Sequence, residues 1–150
     1  MIEEPAVRPS FGRALGEAAR KLSKLHRRAL ADLDSDFPSW MLLALLDESA
    51  SPIPVDTVVA EMDRRMDLAR ADVLGLLDRT AAAGLVAHRP QDPSPVVGLT
   101  EAGSALFARL YAHSRAITDA AAEGVDPAAL DEAVSVLLAV DRAATSLLAA

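Results

Sequence analysis

Two short apolar segments on either side of a proline-rich loop limit what this chain can fold into. The segments are LVAHR at 85–89 and VVGL at 96–99, and the loop between them is PQDPSP at 90–95. Proline lacks a backbone N–H and fixes φ, so a loop this rich in proline cannot lie inside a helix or a central strand. The spacing therefore predicts a two-stranded hairpin.

The rest of the chain is patterned for helices. Apolar residues recur at steps of three and four, which predicts helices over about 11–34, 38–48, 55–65, 69–83, 100–123 and from 127 onward. Residues suited to helix ends support these bounds: Asp36, Thr100 and Asp126 as N-caps and Gly84 as a left-handed C-cap. The segment SASPIPVD at 49–56 is predicted to be a turn-rich break.

The predicted order is four helices, two strands and two helices. Three short helices followed by a hairpin form a winged helix-turn-helix, so we predict a mainly α fold with this domain over 37–103. A helix within 1–36 and two helices within 104–150 are predicted to form a dimerisation bundle, because a monomer would leave their apolar faces in water. We expect one integrated domain and a homodimer.

Composition argues against several classes of protein. The chain has no cysteine, which excludes disulfides and thiolate metal sites and favours the cytoplasm. His26, His88 and His113 fit no short metal-ligand spacing. No nucleophile elbow, phosphate-binding glycine loop or HExxH motif is present, and His26 near Asp34 and Asp36 is weak evidence for acid–base chemistry. We predict no enzyme activity, metal or cofactor, and no contact with a membrane.

Charge is distributed unevenly along the acidic chain, which has a formal net charge of −7. Residues 1–28 hold seven Lys/Arg against three Glu, a net of +4. Residues 37–103 hold five Arg, no Lys and ten acidic residues, a net of −5. Because affinity for a duplex depends largely on cations that displace counterions, any nucleic-acid contact must depend on a local patch.

Three segments resemble the MarR family of bacterial transcriptional regulators. They are FPSWMLLALLDES in the second helix, LLDRTAAAGLVAHRP at the end of the fourth helix and LTEAGSALF after the hairpin. The resemblance implies an obligate dimer whose recognition helices enter successive major grooves of operator DNA and whose wings reach the flanking minor grooves. It also implies release of DNA when a small aromatic ligand binds between the dimerisation and winged-helix parts.

This resemblance places the recognition helix within DLARADVLGLLDRTAAAGLV at 67–86. Arg70 is the best candidate to contact guanine, and Asp72 could accept a hydrogen bond from cytosine. Ala71 and Gly75 stand where the family commonly has hydrogen-bonding side chains, and the wing loop has no cation. The candidate DNA-binding residues are Arg64, Arg65, Arg70, Asp72 and Arg89.

Three of these five candidates have a plainer interpretation. Arg64, Arg65 and Arg70 could form a solvated cluster balanced by Asp63 and Asp67. Asp78 and Arg79 are expected to position parts of the domain rather than to contact bases. The basic run RKLSKLHRR at 20–28 is expected to be an exposed helix face, although it could supplement DNA contact or bind an acidic partner.

Large adaptable side chains near the predicted boundary between the dimerisation and winged-helix parts could line a pocket for a planar ligand. An imidazole at the mouth of that pocket could hydrogen-bond the ligand. The alternative is that these side chains are ordinary core. The candidate ligand-binding residues are His26, Trp40, Met41, Met62, Met66 and Tyr111.

The sequence is compatible with two functions. The first is a dimeric, ligand-responsive regulator that binds double-stranded operator DNA. The second is a protein of the same fold that has lost DNA binding and serves as a small-molecule-binding, protein-interaction or, less favoured, catalytic dimer. The acidic recognition region favours the second, whereas the family resemblance favours the first.

Overall fold

The computed structural model describes residues 7–150 and confirms the mainly helical class. Residues 1–6, which begin the predicted dimerisation segment 1–36, lie outside the described residues. One compact unit ends at Thr118, and a second comprises Asp119–Ala150. The described elements are α1 (Phe11–Ala31), α2 (Phe37–Glu48), β1 (Ile53–Pro54), α3 (Val55–Met66), α4 (Arg70–Ala82), β2 (Val86–Arg89), β3 (Val96–Leu99), α5 (Glu101–Ala121) and α6 (Pro127–Leu148).

The N-caps predicted from the sequence are present. The Asp36 carboxylate accepts a hydrogen bond from the Ser39 amide at 2.8 Å, and the Thr100 hydroxyl accepts one from the Gly103 amide at 3.1 Å. Asp126 likewise accepts from the Ala128 amide at 3.3 Å. These bonds satisfy amides that have no partner within their own helix, which is why the helices begin there.

Helix α1 ends three residues earlier than predicted. Asp34 has a left-handed φ of 54°, and the Ser35 amide donates to the Leu30 carbonyl at 2.9 Å. This is the hydrogen-bond pattern of a Schellman motif, with aspartate in the position usually held by glycine. The apolar periodicity continues beyond Ala31, but the backbone has already turned.

The helix-turn-helix comprises α3 and α4 and ends at the predicted glycine. Asp67 has a φ of 53° in the short connection between the two helices. Gly84 has a φ of 76°, and the Leu85 amide donates to the Thr80 carbonyl at 2.9 Å. Because a side chain disfavours that φ, Gly84 allows the chain to turn directly from α4 into the wing.

The wing is the predicted antiparallel hairpin with one additional strand. Strands β2 and β3 pair from Val86↔Leu99 to Arg89↔Val96. The segment 49–56 was predicted to be only a turn-rich break, and this prediction is wrong at Ile53 and Pro54. These two residues form β1, which pairs with β3 on the side opposite to β2. Strand β1 is therefore an edge strand, where a proline is tolerated.

The core of the first unit surrounds α2, as its nearly continuous apolar sequence predicts. Its four buried leucines pack with Val58 and Met62 of α3 and with apolar residues of α4 and the wing. These leucines are Leu42, Leu43, Leu45 and Leu46. Helix α2 thus contributes four buried leucines to the core that it shares with α4, and burying a leucine contributes about 1.5–3 kcal/mol.

Helix α6 has no buried residue. Val134 and Leu138 are more than half exposed, at 56% and 54%, and Leu130 and Leu137 are also exposed. Among the described residues, no helix combines the length and the apolar character required to cross a membrane.

Candidate nucleic-acid interface and ligand cavity

The exposed face of α4 offers few groups that could read a base. Val73, Leu76, Leu77 and Thr80 are buried, which turns the other side of the helix outward. Its first turn presents Arg70, Ala71 and Asp72, all exposed, and Leu74 follows. Reading of base edges requires donors and acceptors, so Arg70 and Asp72 are the groups available in this turn.

Arg70 is held by a carboxylate of the preceding helix. Its Nη2 atom lies 3.0 Å from Oδ1 of Asp56, and both side chains are well exposed. The pair connects the first turn of α3 to the start of α4. An exposed pair of this kind contributes little stability, so phosphate can compete with the carboxylate for the guanidinium.

Arg64 and Arg65 belong to a four-residue ion-pair network. Glu61 accepts hydrogen bonds from Arg64 at 2.7 Å and from Arg65 at 3.2 Å. Arg65 also contacts both carboxylate oxygens of Glu48, at 2.9 and 3.3 Å. The balancing acids are thus Glu61 and Glu48, not Asp63 and Asp67, because the guanidinium groups extend along α3 and across to the end of α2.

These contacts change the proton affinities of the network. The hydrogen bond from Arg64 lowers the pKa of Glu61. The hydrogen bond to Glu48 raises the pKa of Arg65, and the bond to Glu61 raises that of Arg64. With two arginines and two glutamates, the formal charges of the network cancel.

The wing presents one exposed cation, Arg89, at the end of β2. Within residues 7–150, Arg89 forms no ion pair, and neither does Arg79 on α4. The expected positioning contacts of Asp78 and Arg79 are likewise not seen in this part of the chain. Arg79 and Arg89 are therefore the cations of this region that phosphate could approach without displacing a carboxylate.

A cavity of about 650 Å³ lies between α2 and α5. Its lining comes from one face of each helix, at positions spaced by three and four residues. The lining residues are Trp40, Met41, Ala44, Asp47, Glu48, Ser104, Phe107, Ala108 and Tyr111.

Three aromatic rings form one wall of this cavity. The Trp40 ring centroid lies 5.2 Å from that of Phe107 and 6.3 Å from that of Tyr111, to which it is nearly parallel. Phe107 and Tyr111 are 6.1 Å apart. Tyr111 remains 49% exposed, whereas Trp40 and Phe107 are partly buried against the core, so the cluster is open on the Tyr111 side.

The six predicted ligand residues are not all at this cavity. Trp40, Met41 and Tyr111 line it. Met62 does not, because its side chain has no exposed surface and belongs to the core. Met66 lines a separate recess with Phe37. Phe107 lines the cavity but was not among the predicted ligand residues, although its spacing of four residues from Tyr111 could have indicated it.

His26 lies behind the aromatic cluster rather than in the cavity lining. Its ring makes edge contacts with Phe37 at 5.5 Å and with Trp40 at 5.2 Å. Nε2 is buried and has no hydrogen-bond partner in the described part of the chain. Burial lowers the pKa of His26, which favours the neutral ring.

The histidine–carboxylate pair in the structure is not the one suggested by sequence proximity. His113 of α5 lies 2.9 Å from Asp32 at the end of α1, measured from Nε2 to Oδ2. Over residues 7–150 no group of three His, Asp or Glu side chains could hold a metal ion.

Comparison with solved structures identifies the fold. A transcriptional regulator of the MarR family from Rhodococcus sp. RHA1 aligns with a TM-score of 0.73 and 21% identity, covering 91% of this chain and 96% of its own. Oxidized MarR from E. coli aligns with a TM-score of 0.69 and 19% identity, covering 89% and 95%. CouR from Rhodococcus jostii RHA1, bound to p-coumaroyl-CoA, aligns with a TM-score of 0.71 and 21% identity, covering 91% of this chain and 95% of its own.

The chain has the fold of the MarR family of transcriptional regulators, over nearly its full length. No protein-family model matches its sequence, and no curated protein matches it. The resemblance noted in three sequence segments is therefore confirmed at the level of the fold.

Proposed function

We propose that the protein is a dimeric transcription regulator that binds double-stranded operator DNA and responds to a small ligand with an apolar or aromatic body. The observation that carries the proposal is the double role of α2. Leu42, Leu43 and Leu46 of α2 belong to the buried core that α2 shares with α4, while Trp40 and Met41 of the same helix line the cavity. A ligand that shifts α2 would therefore disturb the packing of α4 against the shared core.

The solved relatives support the ligand part of the proposal. CouR was solved with p-coumaroyl-CoA, whose coumaroyl group is aromatic. In this chain, Trp40, Phe107 and Tyr111 offer flat apolar surfaces on which such a group could stack.

We assign DNA contact to α4, to the end of α3 and to the wing. Arg64, Arg65 and Arg89 would hold phosphates, Arg70 would contact phosphate or guanine, and Asp72 would accept from cytosine. Because Arg64, Arg65 and Arg70 are already paired with carboxylates, binding must exchange partners. We therefore expect modest affinity that falls steeply with salt.

Fluorescence anisotropy with duplex DNA from next to the coding region tests this assignment, at low and moderate salt. Arg70→Ala and Arg89→Ala should each weaken binding, whereas Arg142→Ala, which removes an exposed arginine of α6, should not. No binding by micromolar wild-type protein at low salt would refute the DNA part of the proposal.

A second candidate function retains the dimer and the cavity but lacks DNA binding. The carboxylate partners of Arg64, Arg65 and Arg70 and the net charge of −5 over residues 37–103 favour it. Such a protein would be stabilised against heat by its ligand. Heat stabilisation together with no DNA binding at low salt would support this second function.

A further inference from the structure

The cavity between α2 and α5 is lined by carboxylates and by no basic side chain of the described chain. Asp47 and Glu48 are its charged residues. The guanidinium of Arg65 offsets the charge of Glu48 at 2.9 Å. Asp47 is exposed and forms no ion pair within residues 7–150. The cavity therefore carries an uncompensated negative charge.

Arg89 is the other cation to consider. It lines an adjacent recess that also includes Asp47, but it is not within ion-pair distance of that carboxylate. The Asp47 carboxylate can therefore still form an ion pair with a cationic group of a ligand. The same geometry gives a competing outcome, because an anionic ligand could reach Arg89 instead.

The position of Asp47 is unfavourable for α2 itself. Asp47 and Glu48 are in the last turn of the helix, where no basic residue is present. The C-terminal end of a helix carries partial negative charge, so acidic side chains there destabilise it. The stability of α2 thus gives no reason for an acid at this position.

The aromatic rings that line the cavity also favour a positively charged ligand. The faces of aromatic rings carry partial negative charge and attract cations. Trp40, Phe107 and Tyr111 lie within 5.2–6.3 Å of one another and line the same cavity as Asp47. Aromatic rings and a carboxylate without an ion pair in one cavity therefore both favour a positive charge over that of an aromatic carboxylate.

We infer that the ligand of this cavity is a lipophilic cation: a protonated amine or quaternary ammonium group attached to an apolar or aromatic body. The rings of Trp40, Phe107 and Tyr111 hold the body, and Asp47 holds the charge. This inference rests on the proposed function, which makes the cavity the ligand site, and it adds the charge and chemical class of the ligand.

Three probes with one skeleton and different charges test the inference. They are 4-tert-butylbenzylammonium, uncharged 4-tert-butylbenzyl alcohol and anionic 4-tert-butylphenylacetate. Binding is measured by calorimetry and by the fluorescence of Trp40, the single tryptophan of the chain. The cation should bind roughly 3- to 30-fold more tightly than the alcohol, and the anion should bind most weakly.

Asp47→Asn removes the charge that we assign to ligand binding. This change should weaken binding of the ammonium probe by about 3- to 5-fold and leave binding of the alcohol unchanged. The matched control is Asp78→Asn, which removes an exposed carboxylate of α4 outside the cavity lining and should leave all three affinities unchanged. Unchanged helicity by circular dichroism confirms that both variants are folded.

The outcomes separate this inference from the proposed function. If the phenylacetate binds as tightly as the ammonium probe, or if Asp47→Asn keeps the full preference for the cation, the inference is wrong while the cavity remains a ligand site. If none of the three probes binds, the inference is wrong, and the effect of other apolar or aromatic compounds on DNA binding still tests the ligand response. The DNA-binding part of the proposed function is tested separately and does not depend on either result.

Discussion

At the scale of single residues, the junction between the wing and α5 depends on Thr100 and Gly103. The Thr100 hydroxyl donates to the Gly84 carbonyl at 2.6 Å and accepts from the Gly103 amide, while the Thr100 amide donates to the Leu85 carbonyl at 3.0 Å. Gly103 lies so close to Leu85 that a Cβ at this position would overlap the Leu85 carbonyl oxygen. This close approach explains the glycine within LTEAGSALF.

Gly103→Ala should therefore destabilise the protein. The added methyl group meets backbone rather than a flexible side chain, so we expect a loss of about 1–3 kcal/mol in the free energy of unfolding by urea. Gly12→Ala is the control, because Gly12 is an exposed residue of α1 with open space around it. That change should stabilise by about 0.5–1 kcal/mol. Equal effects of the two substitutions would contradict the close approach.

His26 should make stability depend on pH. Burial lowers its folded-state pKa, so the unfolded chain binds a proton at higher pH than the folded chain does. This contribution to stability is complete above the unfolded pKa of about 6.5 and is lost as the pH falls through the lowered folded pKa. The Tm of the wild type should thus fall on mild acidification.

The Tm of His26→Phe should fall less over the same pH range, because Phe can occupy the contacts with Phe37 and Trp40 without binding a proton. His88→Gln, which changes an exposed histidine of the wing, should retain the wild-type dependence. Parallel curves for wild type and His26→Phe from mildly alkaline pH to about 5.5 would rule out this role of His26.

At the scale of elements, α4 and the wing have the shape of a DNA-reading unit but little of its usual chemistry. The turn at Gly84 and the pairing of β2 with β3 give the expected geometry. The outward face of the first turn of α4 has one arginine, and that arginine is paired with Asp56. Shape follows from the buried residues, whereas DNA affinity follows from the exposed residues, so the two can change independently.

Asp56→Asn should increase affinity for DNA. It removes a negative charge and frees Arg70 for phosphate, and we expect an increase of roughly threefold or more at low salt, with a steeper dependence on salt. Asp78→Asn removes the same charge from α4 without freeing an arginine, and it should have a smaller effect. Anisotropy titrations at several salt concentrations measure both. A larger gain from Asp78→Asn would show that Arg70 is not the limiting cation.

At the scale of the whole molecule, the exposed apolar residues of α6 are the main reason to propose a dimer. Leu130, Val134, Leu137 and Leu138 remain between 38% and 56% exposed. They recur at steps of three and four and so lie on one face of the helix. An apolar face of this kind in water marks an interaction surface, and a second copy of the chain would cover it symmetrically.

Val134→Glu should shift the protein from dimer to monomer. Burying an unpaired carboxylate in an apolar interface is unfavourable, so we expect the dissociation constant to increase at least tenfold in sedimentation equilibrium. Ala139→Glu adds the same charge to a different face of α6 and should leave the dimer intact. A wild-type protein that stays monomeric at high concentration would remove the basis for the dimer.

The order of helices and strands could be read from the sequence because its signals are local. Asp36, Gly84, Thr100 and Asp126 act on backbone groups within a few residues or set a single φ angle. The hairpin likewise follows from one proline-rich loop between two apolar segments. The strand β1 escaped this reasoning, because a two-residue edge strand is defined by its pairing partner and not by its own pattern.

The candidate sites were predictable only in part. Trp40, Met41 and Tyr111 were expected at a ligand pocket and do line the cavity. Met62 is excluded because α3 places it in the core, whereas the inclusion of Phe107 and Asp47 depends on how α2 and α5 are rotated as they pack. Apolar periodicity indicates which face is buried, but it does not indicate which of two neighbouring apolar residues meets the core and which meets a cavity.

The sequence by itself determined the succession of helices, their caps, the glycine turn and the acidic balance, since these depend on neighbours along the chain. The tertiary structure alone decided that Arg70 pairs with Asp56, that Arg65 pairs with Glu48 and that Asp47 lines the same cavity as the aromatic rings. Those contacts join residues that packing brings within a few ångströms, and electrostatic and aromatic interactions act over that distance in space, whatever the separation in sequence.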